Sequence, residues 1–142
     1  MDELDRFAAT PSRRSSLWKS SPVDCPPGSP PFVNAAVAFE TAADETPESL
    51  FARLQQMEKK SGRRRKKVLN EPRPLDLDLI AFGGETRASP GLILPHPRAH
   101  LRRFVLAPLK EIAPGFILPG QTKTIRRLLS GLKTGEVITR LR

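Results

Sequence analysis

The chain has 142 residues, of which 38% are hydrophobic and 6% aromatic, enough for one core and too many for a wholly disordered polypeptide. Cys25 is the only cysteine, which excludes an intrachain disulfide and a cysteine-based metal site, and 15 prolines commit much of the chain to ordered loop. The formal net charge of +9 asks for something anionic, and charge alone leaves nucleic acid, acidic lipid and polyphosphate open.

The start, Met1-Asp2-Glu3-Leu4-Asp5, is acidic and leads into no long apolar run, so neither a signal peptide nor a membrane span is expected and the cytoplasm is the default compartment. Residues 1–9 read as one or two helical turns, with Leu4, Phe7 and Ala8 on one side. Residues 13–20 read as a strand in which Ser16 and Trp18 alternate against Leu17 and Lys19. Residues 21–31 hold five prolines and one glycine and predict a loop. Residues 32–41 predict a strand, with Val33, Ala35, Val37 and Phe39 on one face and Phe32, Asn34, Ala36, Ala38 and Glu40 on the other.

Thr46-Pro47-Glu48-Ser49 looks like a helix start: Thr46 as cap, proline at the first position, and Ser49 where a capping box usually has Glu. Leu50, Phe51, Leu54 and Met57 recur at helical spacing, and Gly62 is the expected stop. Arg63-Arg64-Arg65-Lys66-Lys67 is a run of bases that suits a solvated loop, an RNA-contacting patch or a phosphate clamp. Residues 75–82 read as a strand stopped by Gly83-Gly84, and residues 92–94 as a short apolar piece entering Pro95-His96-Pro97. Further on come a short helix over residues 104–112, interrupted near Pro108, a helix over 125–132, and a last strand over 137–141. No repeat is present. Strands mixed with helices and joined by proline-rich loops predict a single α+β domain over residues 1–142.

Asp76 and Asp78 stand two apart in a predicted strand, so both carboxylates share a face, about 6 to 7 Å apart at about 3.3 Å per residue. Leu75, Leu77 and Leu79 take the other face. Two like charges on a partly buried face repel, and a divalent cation removes that cost. Magnesium suits the pair, since it takes one or two carboxylates plus substrate phosphate oxygens. An ordinary solvent-facing strand fits the same spacing. His96 is clamped between two prolines, which suits a fixed phosphate contact as well as a structural role. Arg102 and Arg103 follow closely. The Walker-type and dinucleotide-type glycine loops are absent, so a nucleotide would have to be held by side chains.

Pro72-Arg73-Pro74-Leu75-Asp76-Leu77-Asp78-Leu79, Leu94-Pro95-His96-Pro97 and Arg102-Arg103-Phe104-Val105-Leu106-Ala107-Pro108-Leu109-Lys110-Glu111-Ile112-Ala113-Pro114 together resemble the 6-hydroxymethyl-7,8-dihydropterin pyrophosphokinases of folate biosynthesis. Upstream, Pro22-Val23, Phe32-Val33-Asn34-Ala35-Ala36-Val37, Gln55-Gln56-Met57-Glu58 and Gly62-Arg63 follow in the family's order, so the likeness runs from about Ser15 to Leu129. It implies a ferredoxin-like αβ sandwich with a mainly antiparallel sheet. It also implies an ATP-dependent diphosphotransferase that acts on 6-hydroxymethyl-7,8-dihydropterin and releases AMP.

By resemblance, Asp76 and Asp78 would hold two magnesium ions. Asn34 would bond the pterin's amide edge, and Phe32 and Phe104 would sandwich its ring. Arg63, Arg73, His96 and Arg102 would contact the triphosphate. Gln55, Glu58, Arg65 and Lys66 would line the ATP groove, with the basic run a loop that closes over it. A monomer acting on ATP and the pterin is expected, with neither nucleic acid nor membrane as partner. Three departures stand out. The family's opening strand, with its Ala-Leu-Gly-Ser-Asn-like motif, is not seen before the first helix, which suggests N-terminal truncation. Leu69-Asn70-Glu71 stands where Arg-Trp-Gly is usual. Asp24 follows Pro22-Val23 in place of glycine, and Pro74 replaces a threonine.

Overall fold

The computed structural model describes residues 8–9, 12–20, 32–65, 77–134 and 137–141, with residues 32 and 61–65 described by backbone alone. The chain divides into two compact units, Met1–Ala42 with Pro97–Arg142, and Ala43–His96. Helices and antiparallel strands occur together, as an α+β composition requires.

In the first unit the predicted strand over residues 13–20 is two strands, β1 (Arg13–Arg14) and β2 (Trp18–Ser20). Likewise the predicted strand over 32–41 is β3 (Phe32–Asn34) and β4 (Val37–Ala38). The cause is a bulge. Arg14 pairs with Val37, but Trp18 pairs with Asn34, so three residues, 15–17, oppose two, 35–36. An extra residue on one strand bends it and breaks the ladder. Across the bulge, Ser15 exchanges bonds with Ala36: its N–H donates to the Ala36 carbonyl at 2.9 Å, and its Oγ accepts from the Ala36 N–H at 2.8 Å. The alternation expected of Trp18 and Lys19 holds, with Ser20 buried, Trp18 half-buried and Leu17 and Lys19 exposed. A last strand, β7 (Ile138–Arg140), pairs with β2, giving an antiparallel sheet in the order β3-β2-β7.

Ala8 forms a bridge with Thr41, and the Ala9 N–H donates to the Glu40 carbonyl at 2.7 Å. The end of the predicted N-terminal helix is therefore extended; residues 1–7 of it lie outside the described residues, as does the loop predicted over 21–31.

Helix α2 (Arg103–Ile112) packs against β2, β3 and β4. It runs through Pro108 without the predicted interruption. Proline forfeits one intrahelical bond, and the complete burial of its ring in the core offsets part of that cost. Leu106, Ala107 and Ile112 are buried beside it. Helix α3 (Ile125–Ser130) packs on α2, is capped by Thr124, whose Oγ1 accepts from the Arg127 N–H at 3.3 Å, and buries Ile125 completely. A 3-10 turn, Ala99–Leu101, buries Ala99 under both helices.

The second unit is built on α1 (Pro47–Arg65). Leu50 and Leu54 are buried, one turn apart, while Phe51 and Met57 are half-buried, as the periodicity predicts. Gly62 does not stop the helix. A mid-helix glycine costs only about 1 kcal/mol relative to alanine, and the arginines that follow are good helix formers. Arg63 and Arg65 therefore belong to the helix rather than to the predicted basic loop, of which Lys66 and Lys67 lie outside the described residues.

Beyond it, β5 (Arg87–Ser89) and β6 (Leu92–Leu94) form an antiparallel hairpin. Pro90 and Gly91 make its two-residue turn; Gly91 sits at φ 86, the left-handed corner that follows proline in a type II turn. Leu92 and Leu94 point inward and are buried, while Ile93 is exposed. Of the strand predicted over 75–82, residues 75–76 lie outside the described residues and residues 77–82 belong to no strand. The His96 N–H donates to the Ile80 carbonyl at 2.8 Å, and a single bond makes no ladder. Among the described residues no helix is long and apolar enough to cross a membrane.

Candidate functional site

In the first unit the sheet and α2 position three of the predicted site residues. Asn34 ends β3 directly opposite Trp18 of β2, and is half-buried where its neighbour Val33 is exposed. Directly paired residues share a face, so Asn34, Trp18 and Ser20 stand on one side of the sheet, opposite Val33 and Lys19. The side chain of Phe32 lies outside the described residues. Because α2 packs against β3, Asn34's strand and Phe104's helix are neighbours.

Phe104 is half-buried in the first turn of α2. The guanidinium carbon of Arg102 lies 5.4 Å from its ring centroid, a cation–π contact. Arg102 is the residue before the helix, extended at φ −117 and ψ 119, and its carbonyl accepts from Leu106 at 3.0 Å. Arg102 precedes a helix end that already carries partial positive charge, with no acidic residue in the first turn, while the Arg103 guanidinium donates to the Leu132 carbonyl at 3.1 Å. That end of the helix favours an anion.

In the second unit, Gln55 and Glu58 lie three apart on α1 and so on one face; Gln55 is exposed and Glu58 half-buried. The N-terminus of that helix is fixed twice. Thr46 and Ser49 cap it reciprocally. Arg87 of β5 forks onto Glu48, with Nε 2.6 Å from Oε2 and Nη2 3.4 Å from Oε1. The Arg87 hydrogen bond is the main cause that holds the Glu48 carboxyl below its ordinary range, helped by its own backbone N–H. Asp78 is exposed. His96 is half-buried, and its backbone bond to Ile80 ties it two residues from Asp78.

Asp76, Arg73 and Lys66 lie outside the described residues, as do the side chains of Arg63 and Arg65. Among the described residues no cluster of three or more His, Cys, Asp or Glu is placed to hold a metal ion.

The sequence reading gave Glu111 no role beyond its place in a motif. Its carboxylate accepts from the Ser16 N–H at 3.3 and 3.2 Å, from Ser16 Oγ at 2.9 Å and from Trp18 Nε1 at 2.5 Å. Loss of water around it works to raise its pKa, but the Trp18 and Ser16 hydrogen bonds and the charge of Arg140 together lower it. No local pattern foretells this contact, since its partners lie 93 and 95 positions away.

The family model for 7,8-dihydro-6-hydroxymethylpterin-pyrophosphokinase matches residues 1–114, and the chain belongs to this family. Among its relatives is a 2-amino-4-hydroxy-6-hydroxymethyldihydropteridine pyrophosphokinase of Synechocystis, 38% identical over 127 residues, which are 89% of this chain and 63% of the relative. One of the same name from Haemophilus influenzae is 40% identical over 105 residues, 74% of this chain and 63% of the relative. Another, from Methylorubrum extorquens, is 35% identical over 133 residues, 91% of this chain and 80% of the relative. The chain thus spans less than two thirds of the length of the first two, at 63% of each.

Proposed function

We propose that this protein transfers the terminal diphosphate of ATP to the hydroxymethyl group of 6-hydroxymethyl-7,8-dihydropterin and releases AMP. The observation that carries this reading is the family match over residues 1–114, which takes in every residue assigned to the site. In the reaction the pterin hydroxyl oxygen bonds to the β-phosphorus, the bond from that phosphorus to the oxygen shared with the α-phosphorus breaks, and the hydroxyl proton is lost.

Asn34 bonds the pterin's amide edge, and Phe32 and Phe104 hold its ring between them. The half-buried settings of Asn34 and Phe104, on a strand and a helix that pack together, support this. Arg102 takes a phosphate at the N-terminus of α2, where helix and guanidinium both favour an anion. Arg63, Arg73 and His96 complete the triphosphate clamp, and Gln55, Glu58, Arg65 and Lys66 line the ATP groove.

Asp76 and Asp78 are the residues that would hold magnesium. The exposed oxygen donors of Asp78 fit a hard cation that fills its remaining positions with phosphate oxygens and water. When bound, two such ions would neutralise charge on the transferring group. The antiparallel β3-β2-β7 sheet with α2 packed on it supports a ferredoxin-like sandwich. We read the chain as a cytoplasmic monomer whose basic charge serves a polyphosphate rather than nucleic acid.

The test is AMP release from ATP, pterin and magnesium, with Asp76→Ala and Asp78→Ala beside wild type. Each substitution should cut turnover on the order of a hundredfold or more while the circular dichroism stays native. Full activity in either variant would remove the metal assignment. Absence of pterin-dependent AMP release by wild type would remove the function.

A further inference from the structure

In the last turn of α2, Glu111 ties the helix to Ser16 and to Trp18 of β2. Glu111 receives three donors, the Ser16 N–H, the Ser16 hydroxyl and the Trp18 indole N–H. The Ser16 N–H lies within the bulge between β1 and β2, residues 15–17 against 35–36, and donates to the carboxylate. The indole contact, at 2.5 Å, comes from the residue directly opposite Asn34. Seven residues back along the same helix stands Phe104, about 10 Å away along the axis at 1.5 Å per residue.

A single carboxylate therefore joins the helix that carries Phe104 to the strand that faces Asn34. Exposed pairs of this kind contribute little to stability as a rule. The geometry here does something more particular, because two donors from the bulge and one from β2 fix both the height and the rotation of α2 against β2. We infer that Glu111 is a positioning residue for the aromatic heterocycle: it holds Trp18 and Ser16 so that Asn34 and Phe104 keep the spacing a flat, hydrogen-bonding ring requires. This rests on the reading that Asn34 and Phe104 bind the pterin.

Glu111→Gln keeps the size and the helix, but turns an amide N–H₂ or a single carbonyl toward three donors. Trp18→Phe removes only the indole donor. With either variant the KM for the pterin should rise on the order of tenfold or more, since small misplacements of a bound reactant carry large costs, while the KM for ATP stays within about twofold. Backbone amide resonances of Asn34 and Phe104 should shift in Glu111→Gln, while those of Leu92 and Leu94 stay in place. Trp18 is the only tryptophan, so its emission reports directly on the same contact.

An unchanged pterin KM, or equal rises for pterin and ATP, would overturn the inference. So would loss of the native fold in both variants, because the contact would then serve stability alone. If wild type binds no pterin by calorimetry, the functional reading fails by itself. The resonances of Asn34 and Phe104 in Glu111→Gln then decide the positioning claim, and unshifted resonances would overturn it.

Discussion

Thr46 and Ser49 cap α1 reciprocally: the Thr46 N–H donates to Ser49 Oγ at 2.9 Å, and the Ser49 N–H donates to Thr46 Oγ1 at 3.1 Å. This is the capping box with a hydroxyl in place of the usual carboxylate. Ser49 Oγ also donates to the Glu45 carboxylate, so the hydroxyl serves two partners. Thr46→Ala removes the side-chain half and should cost about 1 kcal/mol, seen as a lower urea midpoint with an unchanged slope. Thr46→Ser keeps the acceptor and should lie close to wild type.

That cap was legible because its signal is local: the acceptor, the proline and the second hydroxyl fall within four residues. The buried stripe of Leu50 and Leu54 was legible for the same reason, since helical periodicity shows in a short window. Breaks within elements were not. Nothing in residues 13–20 marks the bulge, because it arises from a register mismatch with a segment some twenty residues on, and Ser15 reaches Ala36 only once the strands meet. Pro108 misled in the opposite direction: its sequence signature says breakage, and core packing overrides it. The strand β5 was missed because Arg87-Ala88-Ser89 carries no apolar alternation; Pro90-Gly91 was its one usable sign. The pterin-side candidates Asn34 and Phe104 were found through a resemblance of ordered motifs, while Glu111 drew no such notice because its partners come from the far end of the chain.

Arg87 and Glu48 join β5 to the start of α1, and this contact should make stability fall with acid. The Glu48 carboxyl is held below its ordinary value near 4.5, first by the Arg87 hydrogen bond. A group with a depressed folded-state pKa binds its proton more readily when unfolded. Its contribution is therefore complete above the unfolded value and disappears as pH falls through the lower folded one. Arg87 keeps its proton throughout, since the same contact raises its pKa. Urea midpoints measured at about pH 6 and about pH 3 should differ more for wild type than for Arg87→Met. An equal drop in both proteins would show that other carboxylates account for the acid sensitivity. The difference should also shrink in high salt, as expected of an exposed pair.

Arg102 and Phe104 form a cation–π pair at 5.4 Å at the start of α2, yet the proposed function gives them different ligands. Phe104→Ala removes a stacking face and should weaken pterin binding about threefold to tenfold, the range set by aromatic stacking energies. It should leave ATP affinity nearly unchanged. Arg102→Gln removes a charged donor to phosphate and should weaken ATP binding about tenfold to a hundredfold. The cation–π contact adds a cross-term, since without the guanidinium the Phe104 ring loses a contact of about 0.5–1 kcal/mol. Arg102→Gln should therefore weaken pterin binding as well, but less than Phe104→Ala does. Calorimetric titration of each variant with pterin and with an unreactive ATP analogue separates these effects. If Phe104→Ala weakened the ATP analogue as strongly as the pterin, the first turn of α2 would be acting as one structural block, and the separate roles would not stand.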